Sequence, residues 1–150
     1  MTAEARERFL AEPRVGTLAV ARDGRAPLAV PVWYDYSPGG DVRVWMERGT
    51  LKDRLLRAAG RFSLSVQAED RPYRYVTVEG PAHWNEQPTG DDVTTIAARY
   101  LQEAELAVYV QRTLGPTSVL VHLQPEHWLS SDLSEAFEEL EAAVAAGTSL

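Results

Sequence analysis

Between Val42 and Val66 the chain reads VRVWMERGTLKDRLLRAAGRFSLSV: a strand, a break, a short helix and a second strand. Val42, Val44 and Met46 alternate with Arg43, Trp45 and Glu47, the period of a strand with one buried face. Arg48-Gly49 interrupts it. Thr50 is placed to cap a helix, because its hydroxyl can accept a bond from an orphan amide of the first turn. Asp53, three residues on, has capping-box spacing and suits the positive helix end. Phe62, Leu64 and Val66 resume the strand period. Lys52, the only lysine of the chain, falls in the first helical turn. Free amides at a helix start with a cation beside them form a ready anion site, above all for phosphate. The stretch therefore predicts a place for a phosphate-bearing cofactor.

The rest of the chain surrounds this unit with strands. Glu4 to Glu12 reads as an amphipathic helix anchored by Phe9 and Leu10 and ended by Pro13. Val15 to Ala21 reads as a strand, and Asp23-Gly24 signals a hairpin into Leu28 to Tyr36. Pro31 inside that strand calls for an edge, a bulge or a non-strand neighbour. Tyr73 to Trp84 is a long strand with a bend expected at Gly80-Pro81. Pro88 to Leu106 has helical spacing through Val93, Ile96, Ala97, Tyr100 and Leu101, and the helix can run on to Leu114. Ser118 to Leu129 is the last strand, interrupted by Pro125. Residues 132–150 form an acidic helix with Leu133, Phe137, Leu140 and Val144 as its apolar stripe. Hairpin-linked strands with late helices predict one mainly β domain over residues 1–150, an antiparallel barrel or sandwich with peripheral helices.

Charge and composition exclude several functions. A net charge of −7 speaks against general nucleic-acid binding, which needs excess cation. The cations are concentrated: Arg43, Arg48, Lys52, Arg54, Arg57 and Arg61 surround the opening stretch, which suits a specific small anion. The absence of cysteine removes thiolate nucleophiles, disulfides and cysteine-ligated clusters. The N-terminal TAEARERFLAEPR has no apolar signal core, and no run approaches membrane-spanning length, so a cytoplasmic protein is expected. His122 and His127, five apart on a strand, point to opposite faces and with His83 give no metal spacing. His127, Ser130, Ser131 and Asp132 lack a nucleophile elbow, and Ser131-Asp132 reads as a helix cap.

The order EPRVGTLAV, DGRAPLAVPVWYDY, a strand, Thr-x-Lys at a helix start, RFSLSV and YRYVTVEGPA closely resembles the split-barrel proteins of the pyridoxamine-phosphate-oxidase-like superfamily. The nearest branch in pattern is the one using the deazaflavin coenzyme F-420; IAARYL and Pro125-Glu126 also fit it. The resemblance spans roughly residues 9 to 128. It implies a six-stranded antiparallel split β-barrel, a homodimer, and a cofactor site at the subunit interface for a small-molecule reductase. The phosphate would be held at Thr50, Leu51 and Lys52, and the ring would lie along Pro31, Val32 and Trp33. Tyr73 and Tyr75 match positions that wall the pocket, often from the partner subunit. The chain departs from the family's basic-Asp-Pro-Arg passage at Ala58-Ala59-Gly60-Arg61, keeping only the final arginine.

Each site residue also has a plainer role available. Thr50-x-Lys52 is equally the start of a capped surface helix, and Arg48, Arg54, Arg57 and Arg61 equally a solvated face. Arg54 and Arg61 are the arginines retained as ligands for phosphate or a cofactor's acidic tail. Trp45 and Trp84 are assigned to packing or a subunit contact. FMN is the alternative to the deazaflavin, and a cofactor-storing protein without turnover is the alternative to an enzyme. The cofactor ring would carry the hydride, so no catalytic side chain is assigned and no metal is expected.

Overall fold

The strand containing Pro31 is the seam of the fold. In the computed structural model, which describes residues 1–148, it divides at Trp33 into β2 (Leu28–Val32) and β3 (Tyr34–Tyr36). The other strands are β1 (Gly16–Val20), β4 (Val42–Glu47), β5 (Arg61–Gln67), β6 (Arg74–Asn85), β7 (Ser118–Leu123) and β8 (His127–Asp132). The helices are α1 (Ala3–Ala11), α2 (Leu51–Ala59), α3 (Gly90–Ala97), α4 (Glu103–Thr113) and α5 (Ser134–Thr148). The six expected strands are all present, two of them divided: β2/β3 at Trp33 and β7/β8 around Pro125.

Every pairing is antiparallel, in the order β2-β1-β5-β6-β7-β4-β3, with β8 also on β6. β2 and β3 lie at opposite ends of this path but are consecutive in the chain. One strand thus feeds both ends, and the sheet curls into a split barrel. Its interior holds Val42, Val44, Met46, Phe62, Leu64 and Val66, read from alternation, together with Leu18, Val20, Val76, Val78, Val121 and Leu123; all are buried. Phe9 and Leu10 of α1 plug one end.

A strand that stops leaves backbone groups needing partners. At the seam Tyr100 supplies them: its hydroxyl accepts from Tyr34 N (3.3 Å) and lies 3.1 Å from Tyr34 O and 2.7 Å from Arg14 O. Its ring stacks on Trp33 with centroids 4.9 Å apart. This engagement corrects the reading of one helix from Pro88 onward. The chain leaves α3 after Ala97 to place Tyr100, and a new helix starts after Gln102, whose amide donates to Glu105 Oε1 at 3.0 Å. No glycine or proline marks this stop.

α2 ends at Gly60, where φ is +72° and the amide donates to Leu56 O at 2.8 Å. Proline is locked near −65° and could not take this conformation, which accounts for the departure from the resembled pattern. α5 begins after Asp132, whose carboxylate accepts from Ser134 N at 2.9 Å. Ser149 and Leu150, the end of the expected acidic helix, lie outside the described residues. No helix among the described residues is long and apolar enough to cross a membrane.

Candidate functional site

α2 is fixed by a buried carboxylate. Asp53 accepts from Gly49 N (2.9 Å), Arg57 Nε (3.0 Å) and Trp84 Nε1 (3.2 Å), and its own amide donates to Thr50 Oγ1. Trp84 therefore packs beneath the helix start, with the Arg57 guanidinium over its ring. The first intrahelical bond runs from Arg54 N to Thr50 O. The amides of Leu51 and Lys52 precede it and have no carbonyl below them. Thr50 Oγ1 is engaged by Asp53 N and by Glu47 O, so Thr50 shapes the turn and its hydroxyl is already taken.

Lys52 leans from this helix start into a cavity of about 350 Å³ lined by Pro31, Val32, Trp33, Trp45, Val93, Ile96, Ala97 and Tyr109. A second hollow of about 460 Å³ shares Trp45 and Lys52 and is bordered by Thr50, Leu51, Val30 and Thr113. Lys52 and Trp45 thus stand where the two meet. The lining is apolar and aromatic, suited to a flat ring, with one cation at its junction.

The cavity exists because of a long-range ion-pair set. Arg43 sits opposite Asp35 in the β3–β4 register and grips it through Nε (2.9 Å) and Nη2 (2.6 Å). Its Nη1 reaches Asp92 at 3.0 Å, in the first turn of α3. That contact holds α3 across the sheet, so Val93, Ile96 and Ala97 face Trp33 and Trp45. Tyr109 closes the wall from α4, 5.5 Å from the Trp33 ring centroid. Burial raises the Tyr109 hydroxyl above the usual tyrosine range, and it stays protonated.

The expected basic cluster is largely neutralised. Arg48 pairs with Glu86, Arg57 with Asp53 and Glu86, and Arg61 with Glu126. Among the described residues Lys52 and Arg54 make no ion pair; Arg54 is exposed, whereas Lys52 is half-buried. Burial alone lowers the Lys52 ammonium below the usual lysine range. An anion beside it would reverse that shift. In the free protein the charge is lost as pH rises through the lowered pKa. Phosphate affinity should accordingly fall at a pH where an exposed lysine still holds its proton. Titration with FMN at a series of pH values above the phosphate's own second pKa of about 6 checks this. Constant affinity up to the ordinary lysine range would exclude Lys52 as the ligand.

The sequence-derived site residues divide into two groups. Pro31, Val32, Trp33 and Lys52 meet in one cavity, and Thr50 and Leu51 border the adjoining one. Arg54, Arg61, Tyr73 and Tyr75 line neither. Tyr75 lies between Gln67 and Ser131 in the sheet, and Tyr73 stacks edge-on against Phe137 of α5. Trp45, assigned to packing, and Tyr109, Val93, Ile96 and Ala97 are added to the lining. The α3 and α4 residues carried no sign in the sequence of what they would cover. His83 and His122 face each other across β6 and β7, tied to Gln124 and Asp41. Among the described residues no group of side chains is arranged to hold a metal.

No family model matches the chain, and no curated protein matches it. Solved structures do. An F420 reductase superposes with a TM-score of 0.67 at 25% identity, over 82% of this chain and 94% of that one. An FAD-binding protein from Mesorhizobium loti gives 0.62 at 22% identity, over 87% and 93%. A candidate pyridoxamine 5'-phosphate oxidase from Listeria innocua gives 0.62 at 13% identity, over 85% and 93%. The likenesses show the fold: these solved structures share the split barrel that the resembled sequence pattern implies.

Proposed function

We propose that this split-barrel protein is an oxidoreductase that binds the deazaflavin coenzyme F-420 and reduces a small organic molecule. The observation that carries the reading is Lys52: a half-buried cation with no ion-pair partner among the described residues, at the free-amide end of α2, opening on an aromatic cavity. That donor set fits a phosphate, and the flat apolar cavity fits a tricyclic ring. Lys52 and the Leu51 and Lys52 amides would hold the phosphate. Pro31, Val32 and Trp33 would lie along the ring, with Trp45 and Tyr109 as walls and Arg54 within reach of an acidic tail. When bound, the deazaflavin supplies a hydride. The protein's own contribution is to orient the ring, exclude water with α3 and α4, and keep the Tyr109 proton in place.

The likeness to an F420 reductase, at 25% identity, supports the deazaflavin over FMN. FMN, which also joins a flat ring to a phosphate, stays the second reading. We place a second copy of the chain against the outer face of the β1-β5-β6-β8 region. There Ser65 and Thr77 lie opposite each other and hydrogen-bond at 2.9 Å, beside an exposed Leu129. Small side chains of this kind permit close approach of another sheet, and Tyr75 would face the partner's cavity from there. The deciding experiment compares FMN and coenzyme F-420 by titration on the same apoprotein. Tighter binding of the deazaflavin, with oxidation of its reduced form by an unsaturated or quinone-like acceptor, is the expected result. Preference for FMN overturns the cofactor assignment, and tight binding without turnover across a broad acceptor panel favours a storage protein.

A further inference from the structure

Three conditions that make an amine nucleophilic meet at Lys52. Its side chain is half-buried and lines a cavity with Pro31, Trp33 and Trp45, so its charged form is desolvated. It lies in the first turn of α2, at the positive end of the helix, which disfavours a cation. No carboxylate among the described residues pairs with it. The two acids beside it in the chain are engaged elsewhere: Glu47 accepts from Thr117 Oγ1, and Asp53 accepts from Gly49 N, Arg57 and Trp84. Burial holds the ammonium below the usual lysine range, and the helix end acts in the same direction.

A lysine desolvated in an apolar pocket is suited to capture a carbonyl carbon. The cavity decides which carbonyl compound can reach it. Its volume of about 350 Å³ lies at the small end of ligand pockets, which run from roughly 300 to 1,000 Å³. Trp33 and Trp45 from the sheet and Tyr109 from α4 line it with aromatic rings. Among the described residues that line it, Lys52 is the only charged one. An acidic aldehyde would therefore have Lys52 itself as its counterion, and the anion would restore the proton and quench the nucleophile. The lining selects an uncharged, planar aromatic aldehyde, its ring among the aromatic walls and its carbonyl toward Nζ.

We propose that Lys52 is a covalent site at which the cofactor-free protein captures planar aromatic aldehydes as an imine. The amine lone pair attacks the carbonyl carbon, and the C–N bond forms as the π pair of C=O moves to oxygen. The two protons of the amine pass to that oxygen, which leaves as water while the C=N bond forms. Nothing is oxidised or reduced, no co-reactant is consumed, and water reverses the step. The captured ring fills the cavity and its carbon occupies Nζ, so aldehyde and phosphate compete for one atom. Aromatic aldehydes would thereby block the site against a phosphate-bearing cofactor. The capture itself rests on the amine and the cavity and not on the cofactor assignment.

The single lysine makes the test direct, because the α-amine of the N-terminus is then the internal standard. The apoprotein is incubated at neutral pH with 2-naphthaldehyde or with acetaldehyde. Cyanoborohydride is present to reduce any imine to a stable secondary amine, and peptide mass spectrometry quantifies both positions. The readout is the ratio of label at Lys52 to label at the α-amine, which cancels the intrinsic reactivity of each aldehyde. With 2-naphthaldehyde Lys52 should carry most of the label. With acetaldehyde the ratio should be lower by roughly tenfold or more, the effect of losing a buried ring. The same ratio for the two aldehydes, or label at the α-amine alone, overturns the proposal. No cofactor enters the assay, so its failure is distinguishable from failure of the cofactor titration.

Discussion

Lys52→Met is expected to weaken cofactor binding by roughly 10- to 100-fold, the equivalent of losing a charge-assisted contact of about 1.5–3 kcal/mol. The same substitution should raise the melting temperature of the apoprotein. The two effects have one cause. In the free protein the Lys52 ammonium is half-buried and faces Pro31, Trp33 and Trp45 without an anion. Its folded-state pKa is lowered by burial. Between that pKa and the unfolded one the unfolded chain binds the proton more strongly, so stability rises with pH across the window. At every pH below it the folded protein bears the full cost of holding the charge. Methionine keeps the unbranched length and removes that cost. Calorimetric titration together with a thermal melt of the apoprotein reads both signs. A variant that binds as tightly as the parent removes Lys52 from the phosphate site. A variant that loses affinity and stability together shows a structural lysine.

The elements of the barrel could be read from residue order because each strand carries its own period. Val42-Val44-Met46 and Phe62-Leu64-Val66 bury the face that alternation assigns them. The α2 start was equally local: Thr50, Asp53 and Gly60 lie within the helix they delimit. What escaped the sequence is what depends on partners far along the chain. Arg43 reads as one more cation of a basic cluster until Asp35 and Asp92 neutralise it, the latter 49 residues away. The helix from Pro88 reads as continuous because its break is caused by Tyr100 reaching Tyr34, a residue 66 positions earlier. Trp45 reads as packing because nothing on β4 announces that α3 will leave room above it. Lys52 and Trp33 were found because each stands at a local irregularity, a helix start and a strand seam, and such irregularities are visible without the fold. Tyr73 and Tyr75 line neither of the two hollows at Lys52; the role proposed for Tyr75 is toward a second copy.

Gly80→Ala should have the largest effect on the fold. β6 is paired along its whole length, with β5 on one side and in turn β8 and β7 on the other. The hand-over from β8 to β7 happens at Gly80, where the chain around Pro125 crosses over it. Gln124 N donates to Pro81 O at 3.0 Å and Glu126 N to Glu79 O at 2.9 Å. A methyl group at Gly80 would overlap the Gln124 carbonyl oxygen, with Gln124 C at 2.9 Å and Glu126 N at 3.3 Å. These are backbone atoms held by those two bonds, so they cannot move aside as a side chain would. Overpacking of this kind costs about 1–3 kcal/mol or more, and each lost hydrogen bond adds about 0.5–1.5 kcal/mol. At roughly 2–4 °C per kcal/mol for a domain of this size, the melting temperature should fall on the order of 10 °C. Gly115→Ala is the control, because a methyl group there meets nothing within 4 Å. It should change stability by less than about 0.5 kcal/mol. If the two variants melt together, the crossing is loose and β8 is free to leave β6. β8 carries the exposed Leu129, so a firm crossing at Gly80 is what would hold the outer sheet face, proposed above to meet a second copy, as one fixed surface.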